Sequence, residues 1–580
     1  MTTVLGKLSN KSKSNLIVQD FDSACPNRNI FVVGGPGSFK SAGYVIPNVI
    51  IKNQQSIVVT DPSGEVFEKT ANIKKAQGYD VRVVNFKNFL ASDRQNFFDY
   101  IERDSDASIV SELVIKSSGD SRMMRDVWFK ASVGLLNALI LYARYEFEPK
   151  KRNMENIINF VIQNQPKEDQ EGSAELDKRF DELEDGHPAK NMYKFGFDVS
   201  EERTRASILL TFVSDLRNYL DQDIKEFSSD SDFDLKDVGK SKTIIYVMLP
   251  VLGNVNQSLS SLFFSQMFEQ LYRLGDDNGA KLPYPVDFIL DEFPNIGVIP
   301  DYEETLATCR KYGIGISTIV QSISQLVDKY NRDKANAIIG NHAIILCLGN
   351  VNNDTAKYIR DELGNTTVEF ETSSEGSSKG SKDSRSRSSN KNISYSSRAL
   401  LNTDEIANMD QEKAILITKN RNPRIINKIA YFKMFGELVD KLIAKQNDYK
   451  RSKNESMIQK HKLLEEEWNA KKEKEKAKKV EQEKIKLEEK QKEEEYKKLR
   501  EEERVKAKVI SQLENEFIKE MNNDDKEQEL SNDNELEEQI DVEDEVSENE
   551  FPFDDIDVNK TEDEDNSVLA MINENEDKDN

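Results

Sequence analysis

Residues 30–41 read IFVVGGPGSFKS, which is an apolar run, a glycine-rich turn, and then a lysine followed by a serine. The run from Ile30 to Val33 predicts a buried β-strand, and the residues after the serine predict a helix. A glycine-rich turn between a strand and a helix directs several backbone N–H groups at one point, which is typical of a phosphate-binding loop. We expect Lys40 to reach the β- and γ-phosphate oxygens of a nucleotide and the Ser41 hydroxyl to hold Mg²⁺. The nucleotide-binding residues predicted in this way are Gly34, Gly35, Pro36, Gly37, Ser38, Phe39, Lys40 and Ser41.

Phe39 departs from the usual pattern of such loops, G-x-x-x-x-G-K-[ST], which has glycine at this position. That glycine lets the backbone approach phosphate closely, so Phe39 leaves both the nucleotide affinity and the hydrolysis open. A second interpretation of the whole stretch is a Gly-Pro turn that only joins a strand to a helix.

Residues 286–292, VDFILDE, form a second apolar run, and it ends in two acids. Such a strand places Asp291 beside the Mg²⁺ and Glu292 where it can polarise an attacking water, the two tasks that phosphoryl transfer to water requires. Acidic pairs after apolar runs also occur as helix caps. Their occurrence together with a Lys-Ser loop favours a nucleotide hydrolase.

Three more polar residues lie near predicted strand ends. Asp61 follows a strand at the edge where open sheets place their ligands, although a simple turn is the favoured interpretation. Gln321, after the run Ile314–Val320, can hydrogen-bond a γ-phosphate or a water, or can be a satisfied strand-end glutamine. Arg310 can reach the nucleotide of a neighbouring subunit, or can be an ordinary surface arginine.

Further short apolar runs, rich in Val and Ile, are separated by segments of helical length. This alternation predicts an α/β fold with a mostly parallel sheet that helices cover on both faces. Between about residues 96 and 215 the alternation stops, and Val127–Tyr145, Met154–Gln163 and Ser200–Tyr219 predict the helices of an inserted all-α domain. The other predicted strands are Ile57–Thr60, Val81–Asn85, Thr243–Leu249, Val286–Leu290, Ile314–Val320, Ala343–Leu348 and Ala414–Thr418.

The chain has 580 residues, with 81 Lys and Arg against 106 Asp and Glu, and the excess of acid is concentrated at its end. Residues 521–580 hold 25 acids and 3 bases, which predicts a disordered tail that either binds basic partners or only solubilises the protein. From 471 to 510, 28 of 40 residues are charged, so we expect the packed core to end near residue 445. Residues 446–520 should form a helix, either single and solvated or in a weak coiled coil. Residues 371–397, dominated by Ser, Lys and Gly, are expected to be a flexible loop.

The chain has 3 cysteines and 3 histidines, and they are too scattered to predict a zinc site or a disulfide framework. We expect Cys309 and Cys347 to be small core or boundary residues, and we assign no chemistry to His342.

The longest apolar stretch, Val127–Ala143, contains a lysine and an asparagine and is too short to span a bilayer comfortably. The N-terminus has no apolar signal region. These features favour a reducing, intracellular location.

The chain resembles the TraG/TraD-like type IV coupling proteins of the TraG/VirD family, ATPases that deliver relaxase-bound DNA to conjugative type IV secretion channels. The resemblance covers roughly residues 28–435. It rests on FVVGGPGSFKSAGYVIPNVI (31–50), IVVTDPSGEVFEKT (57–70) with QGYDVRVVNF (77–86), FILDEFPNIGVIPDYEETLATCRKYGIGISTIVQSISQL (288–326), SSRALLNTDEI (396–406) and NRNP (420–423).

The resemblance implies a RecA-like P-loop NTPase domain interrupted by an all-α domain, with ATP and Mg²⁺ as cofactors and a hexamer around a central channel. Gly34, Gly35, Gly37, Lys40 and Ser41 then match the phosphate loop, Asp291 and Glu292 the metal-and-water pair, and Gln321 the polar sensor. Arg310 becomes a candidate arginine that acts on the nucleotide of the neighbouring subunit.

The function that the resemblance implies is recruitment of a relaxase–DNA substrate and its delivery to a transfer channel. The implied partners are the relaxase or relaxosome, single- or double-stranded DNA, the channel proteins and further copies of the chain. We expect a cytoplasmic protein recruited to the inner face of the cell membrane through a partner, since only about 28 polar residues precede the first predicted strand. The alternatives are a non-hydrolysing substrate receptor with a degenerate loop, and a duplex DNA translocase like the FtsK/HerA proteins.

The residues and the resemblance together divide the chain into six segments. They are 1–28, a short polar segment; 29–95 and 216–445, the two parts of the nucleotide-binding domain; 96–215, the all-α domain; 446–520, the charged helical segment; and 521–580, the acidic tail.

Overall fold

The computed structural model describes residues 2–8, 16–20, 27–118, 127–164, 174–198, 202–250, 257–379 and 385–524. The chain divides into two compact units, Met1–Ala477 and Lys478–Asn580. The first unit contains an 11-stranded sheet together with the helices that cover it. In the second unit the described residues are helical, and their side chains up to residue 519 are exposed.

The strands that the apolar runs predicted are all present, each to within one residue at either end. Runs of Val and Ile form these strands because β-branched side chains pack well on a pleated sheet that is buried on both faces. The strands are β1 (Thr2–Lys7), β2 (Leu16–Asp20), β3 (Ile30–Val33), β4 (Ser56–Thr60), β5 (Asp80–Asn85), β6 (Thr243–Met248), β7 (Val286–Leu290), β8 (Ile314–Val320), β9 (Ile344–Cys347), β10 (Asn365–Lys379), β11 (Arg385–Ala399), β12 (Lys413–Thr418) and β13 (Arg421–Asn427).

The large sheet has the order β2-β1-β13-β12-β9-β3-β8-β7-β4-β6-β5. From β9 to β5 all neighbouring strands are parallel, and the four strands on the other side of β9 pair antiparallel. The mostly parallel α/β sheet is therefore confirmed. Because the parallel strands all end at one edge, the loops after β3, β7 and β8 lie next to each other there.

The first 28 residues were expected to precede the sheet, and this expectation is wrong. β1 pairs with β2 and meets β13 at Lys7 opposite Asn427. The side chains of Val4 and Leu5 are buried. The segment is polar on average, but its short apolar run is sufficient to add strands to an open sheet edge.

The predicted helices within residues 127–219 are also present, although the last one ends at Asp215 and is followed by a short 3₁₀ turn, Arg217–Leu220. The helices are α1 (Ile46–Ile51), α2 (Glu65–Ala76), α3 (Asp104–Ser118), α4 (Val127–Glu146), α5 (Met154–Gln163), α6 (Ala174–Asp181), α7 (Pro188–Tyr193), α8 (Glu202–Asp215), α9 (Gln222–Phe227), α10 (Asp237–Lys240), α11 (Gln257–Asp276), α12 (Tyr302–Thr308), α13 (Ile323–Gly340), α14 (Asn353–Leu363), α15 (Thr403–Ala407), α16 (Tyr431–Met434), α17 (Gly436–Lys441) and α18 (Glu455–Asp524).

The region between β5 and β6 contains α3 to α10 and no strand among its described residues. Leu135, Leu136, Leu139 and Ile140 of α4 are fully buried, and they belong to the same hydrophobic core as Phe31 on one face of the sheet. The apolar run in α4 is thus explained by burial against other helices. Within the part of the chain that the structure describes, no helix has the length and hydropathy needed to cross a bilayer.

Residues 371–397 were expected to be a flexible loop, but their described part belongs to a two-stranded antiparallel ladder. β10 and β11 pair over their whole length, from Asn365 opposite Ala399 to Lys379 opposite Arg385. The expectation was based on how little apolar surface the segment can bury. Backbone pairing does not require such burial, and Thr, Val, Phe, Ile and Tyr near the base of the ladder favour extended conformations.

The packed core continues beyond residue 445, contrary to the expectation from charge content. Residues 446–477, here called the C-terminal strap, belong to the first unit and pack on the rest of it. Met457 is fully buried, and the Trp468 ring lies 5.3 Å from the Arg152 guanidinium. Asn454 Nδ2 donates to Asp237 Oδ2 at 2.7 Å. A few apolar residues at suitable positions are enough to dock this strap, and an average over a charged segment hides them.

An ionic cluster fixes the start of α18. Asp99, Asp230 and His461 present ligand-type atoms within 4.8 Å of one another. The Lys453 ammonium lies 2.8 Å from Asp230 Oδ1 and 2.7 Å from His461 Nδ1, so a cation already balances these groups. We therefore interpret the cluster as a docking contact of the strap.

The charged segment predicted over residues 446–520 is helical from Glu455, and the helix runs to Asp524. The first four residues of the predicted disordered tail therefore belong to a helix. The remainder of that prediction, residues 525–580, lies outside the described residues.

Candidate functional site

The candidate site lies where the parallel strands β3, β7 and β8 end. Val33 is paired with Val320, and Leu290 with Thr318, so the residues that follow these strands share one edge of the sheet. The phosphate-loop candidate follows β3, the acidic pair follows β7, and Gln321 follows β8. The predicted motifs meet because their strands are neighbours.

The glycine-rich loop is anchored to the strands on both sides of β3. Gly34 N donates to Val320 O and Gly35 N to Gly349 O, each at 3.2 Å. A Cβ added to Gly35 would stand 1.7 Å from Asn350 O, so this position requires glycine. Lys40 is only 8% exposed, and its Nζ donates to Gly34 O at 2.9 Å. The loop thus holds a buried ammonium group inside a turn of backbone.

Phe39 adopts the backbone conformation that glycine usually supplies. Its φ is 64°, in the left-handed region that a residue with a Cβ adopts only at a cost of about 1–2 kcal/mol. Its carbonyl accepts from Gly43 N at 2.7 Å, and its ring lies 6.4 Å from that of Phe432. Packing and hydrogen bonding therefore compensate for the strain, and the loop keeps its turn without glycine.

Asp291 and Ser41 face each other at the end of β7. Ser41 Oγ donates to Asp291 Oδ2 at 3.0 Å, and Thr60 Oγ1 fixes the Asp291 backbone by donating to its carbonyl oxygen at 2.6 Å. Burial raises the pKa of the Asp291 carboxyl to about 7, and the neighbouring Glu292 carboxylate acts in the same direction. A buried carboxylate and a hydroxyl are oxygen donors that suit Mg²⁺, and a cation would relieve the burial of this charge. The residues present therefore fit the metal.

Glu292, the second acid of the pair, contacts both Gln321 and Lys40. Its Oε1 accepts from Gln321 Nε2 at 2.9 Å and lies 3.6 Å from Lys40 Nζ. The Glu292 backbone has φ 51° and ψ 49°, which is left-handed. The structure thus brings Lys40, Ser41, Asp291, Glu292 and Gln321 together.

Asp61 has a local role that agrees with the simple turn. Its carboxylate accepts from the backbone N–H groups of Gly64 and Phe67, both at 2.8 Å, at the start of α2. Burial raises the pKa of this carboxyl, and the backbone N–H groups oppose that effect.

Arg310 is not part of the cluster. It is exposed and lies in a 3₁₀ turn, Cys309–Tyr312, directly before β8. A residue that precedes a parallel strand lies at the edge opposite to the carboxyl ends, so Arg310 is on the far side of the sheet from Lys40 of the same chain.

The two described cysteines and His342, to which no chemistry was assigned, are core residues. Cys309 and Cys347 are buried free thiols, as expected for small core residues. His342 is buried with its Nε2 2.9 Å from Thr318 Oγ1, and burial lowers its pKa to about 4.

Sequence reasoning missed residues that support the loop from outside. Lys428 Nζ donates to Ser38 O at 3.1 Å and to Leu348 O at 2.6 Å, and burial lowers the Lys428 pKa to about 8. Gln411 Nε2 donates to Gly37 O at 3.2 Å. These side chains line a cavity of about 310 Å³ beside the loop. No local pattern marks either residue, because each reaches the loop from a distant part of the chain.

Comparison with known families gives one match over most of the chain. Residues 1–460 match the family model described as type IV secretory system conjugative DNA transfer. Curated relatives include a probable conjugal transfer protein TraG of Sinorhizobium fredii, which is 26% identical over 423 residues, 71% of this chain and 63% of the relative. A type IV secretion system-coupling protein VirD4 of Bartonella quintana is 23% identical over 418 residues, 69% of this chain and 62% of the relative. The chain therefore spans less than two thirds of the length of these relatives.

Solved structures support the fold. The bacterial conjugative coupling protein TrwBdeltaN70, in its unbound monoclinic form, superposes with a TM-score of 0.52 at 17% identity and covers 70% of this chain and 85% of its own. TrwB in complex with the non-hydrolysable ATP analogue ADPNP superposes with a TM-score of 0.51 at 16% identity and covers 70% of this chain and 86% of its own. The expected fold class, an α/β sheet domain with an inserted helical region, is confirmed.

Proposed function

This chain belongs to the family of conjugative DNA transfer proteins of the type IV secretory system, and from that premise we propose that it is the coupling ATPase of such a system. It binds ATP with Mg²⁺ and hydrolyses the bond between the β- and γ-phosphates. It uses this reaction to deliver a relaxase–DNA substrate to the transfer channel. The relatives named TraG and VirD4, and the nucleotide-bound TrwB, support this proposal by similarity.

The observation that carries the proposal is the convergence of five side chains at one sheet edge. Lys40 and Glu292 lie 3.6 Å apart, Gln321 donates to Glu292, and Ser41 donates to Asp291. Lys40 would neutralise the β- and γ-phosphates, while Glu292 would orient and polarise the attacking water. Gln321 holds the Glu292 carboxylate and would sense the γ-phosphate.

Ser41 and Asp291 would hold the Mg²⁺, which would supply positive charge to offset the negative charge that develops on the phosphate during transfer. Asp291 is suited to this role because it is buried at the end of a strand and its backbone is fixed by Thr60.

Arg310 would serve another copy of the chain. Its position at the opposite sheet edge separates it from its own phosphate loop, so the proposed charge-stabilising arginine acts across a subunit boundary in a ring, with a hexamer as the proposed assembly.

The proposed partners are the relaxase or relaxosome, DNA and the channel proteins, and contact with the inner face of the membrane would be made through one of them. The helical region between β5 and β6 is the proposed place of substrate contact, and residues 96–215 remain the proposed extent of that domain.

The test is ATP turnover by the full chain, measured alone and with single- or double-stranded DNA. Lys40→Ala and Glu292→Gln should abolish turnover, and Lys75→Ala and Glu304→Gln, both on the surface, serve as matched controls. Phe39→Gly should keep turnover, since Phe39 already adopts the required backbone conformation. Nucleotide binding without turnover under every condition would overturn the hydrolysis proposal in favour of a receptor. Turnover and movement on duplex DNA that need no relaxase would favour a duplex translocase.

A further inference from the structure

Three of the residues with a Cβ and a positive φ are each adjacent in sequence to an aromatic residue. Glu292, Asp301 and Asn331 have φ values of 51°, 50° and 62°. Residues with a Cβ adopt such values only where the surrounding structure holds them there. The aromatic neighbours are, respectively, Phe293, Tyr302 and Tyr330.

These three aromatic residues, here called the ring cluster, contact one another. The Phe293 centroid lies 4.6 Å from that of Tyr302 and 5.7 Å from that of Tyr330, with interplanar angles of 27° and 13°. The two tyrosine rings are 6.4 Å apart. All three side chains are buried, with Phe293 and Tyr302 fully so. The residue next to Glu292 is therefore packed against two rings from α12 and α13.

Both tyrosines are fixed by hydrogen bonds. Tyr302 Oη lies 2.7 Å from Thr318 Oγ1 on β8, the strand that ends next to Gln321. Tyr330 Oη accepts from Ile299 N at 2.9 Å, in the segment that follows the acidic pair. The ring cluster thus connects the Glu292 backbone to the strand that ends directly before Gln321, the partner of the Glu292 carboxylate.

We propose that the ring cluster is the element that positions Glu292. By fixing Phe293 it holds the Glu292 backbone in its left-handed conformation, and this conformation directs the carboxylate at Gln321 and Lys40. Tyr330 is then a positioning residue that lies far from Glu292 in sequence. The inference rests on the proposed role of Glu292 in ATP hydrolysis, but its structural content can be tested separately.

The experiment compares Tyr330→Leu with Tyr330→Phe in the full chain. Tyr330→Leu removes the ring and should lower kcat for ATP by at least about tenfold, since small displacements of a catalytic group have effects of this size. KM and the affinity for ATP should stay within about threefold, because Lys40 and the loop are not displaced. Tyr330→Phe keeps the ring and should retain most of kcat. Phe263→Leu is the control for a core cavity, since Phe263 is buried and its ring contacts are with Phe86 and Phe264.

A crystal structure of Tyr330→Leu gives a second readout that does not depend on turnover. We expect the Glu292 φ to leave the left-handed region and the contact from Gln321 Nε2 to Glu292 Oε1 to break. If Tyr330→Leu does not fold, Phe293→Leu takes its place, because it removes the ring that contacts both tyrosines. The same two measurements, kcat and the conformation of Glu292, are then made on that variant.

Several results would overturn the proposal. One is an unchanged kcat in Tyr330→Leu. Another is a loss of kcat in Phe263→Leu as large as the loss in Tyr330→Leu. A third is a variant structure in which Glu292 keeps its conformation and its bond to Gln321. If the unmodified protein shows no turnover, the hydrolysis proposal fails, while the variant structure still decides whether the ring cluster positions Glu292.

Discussion

Replacement of Asp287 by asparagine should destabilise the sheet strongly. Asp287 is the second residue of β7 with only 6% of its side chain exposed, and its carboxylate pairs with Arg28 and with Lys52 Nζ at 2.5 Å. Gln55 Nε2 donates to it at 3.0 Å. Burial alone would raise the pKa of this carboxyl, but the Arg28 and Lys52 cations lower it to about 2.

The size of the effect follows from these values. Lowering the pKa from an ordinary 3.8 to about 2 corresponds to about 2 kcal/mol of stabilisation by the ionised carboxyl, and burial, which lowers the pKa of Lys52, offsets part of it. Asp287→Asn also leaves Lys52, which is 3% exposed, without its counter-charge. Breaking a buried pair in this way costs about 3–5 kcal/mol, which we expect as the loss in the free energy of unfolding.

Urea unfolding followed by circular dichroism measures the loss. Asp80→Asn is the matched control, because Asp80 also pairs with a cation, Arg82, but lies on the edge strand β5 with 43% of its side chain exposed. This variant should lose less than about 1 kcal/mol of the free energy of unfolding. Adding Lys52→Met to Asp287→Asn should recover part of the loss. In the unmodified protein the stabilisation should be complete above about pH 4 and disappear as the pH falls through about 2, since the folded pKa is lowered. A loss in Asp287→Asn no larger than in Asp80→Asn would refute the reasoning.

Three further predictions concern the loop, a buried lysine and the strap. Gly35→Ala should lower ATP affinity at least about tenfold in a fluorescence titration, because its Cβ meets a backbone oxygen at 1.7 Å. Gly37→Ala should have a smaller effect, because its Cβ meets no atom within 4 Å and the remaining cost is the backbone strain of a residue with a φ of 74°. Burial lowers the Lys74 pKa to about 7, so between pH 7 and 10 the folded state binds fewer protons than the unfolded state. The free energy of unfolding should therefore rise by up to about 4 kcal/mol over this range. Lys74→Met should flatten that rise in thermal unfolding midpoints measured across this range. Deletion of residues 446–580 should lower the free energy of unfolding by at least about 2 kcal/mol relative to deletion of residues 478–580. Only the first deletion removes the strap and so exposes the surface against which the strap is buried.

The sequence was sufficient to predict eight of the eleven strands of the large sheet, including all of its parallel strands, and the centre of the candidate site. Strands such as Ile30–Val33 and Ile314–Val320 are continuous runs of apolar residues because both faces of a parallel strand are buried, so they can be recognised locally. The site residues follow such strands, and the rule that ligands bind at carboxyl ends is enough to bring Lys40, Asp291 and Glu292 to one edge.

The parts that were missed depend on long-range contacts or on single residues within a biased composition. Lys428 supports the loop through two carbonyl oxygens, and nothing in its neighbourhood indicates which carbonyls it will meet. The strap was misjudged because charge content is an average, while docking depends on individual side chains such as Met457 and Trp468. The left-handed Glu292 is set by rings distant in sequence, which no local pattern can show.

The position of β3 in the sheet has a consequence for how the protein is made. β3 ends at residue 33, but both of its neighbours, β8 and β9, are built from residues 314–320 and 344–347. A ribosome adds about 5–20 residues per second, so the glycine-rich loop is synthesised roughly 15–60 s before the strands that shape it. Until then Ile30–Val33 is an unpaired apolar segment that a nascent chain must keep from aggregating. The loop reaches its final shape only when both halves of the sheet domain have joined, and the proposed binding of ATP would therefore stabilise only chains whose folding is nearly complete.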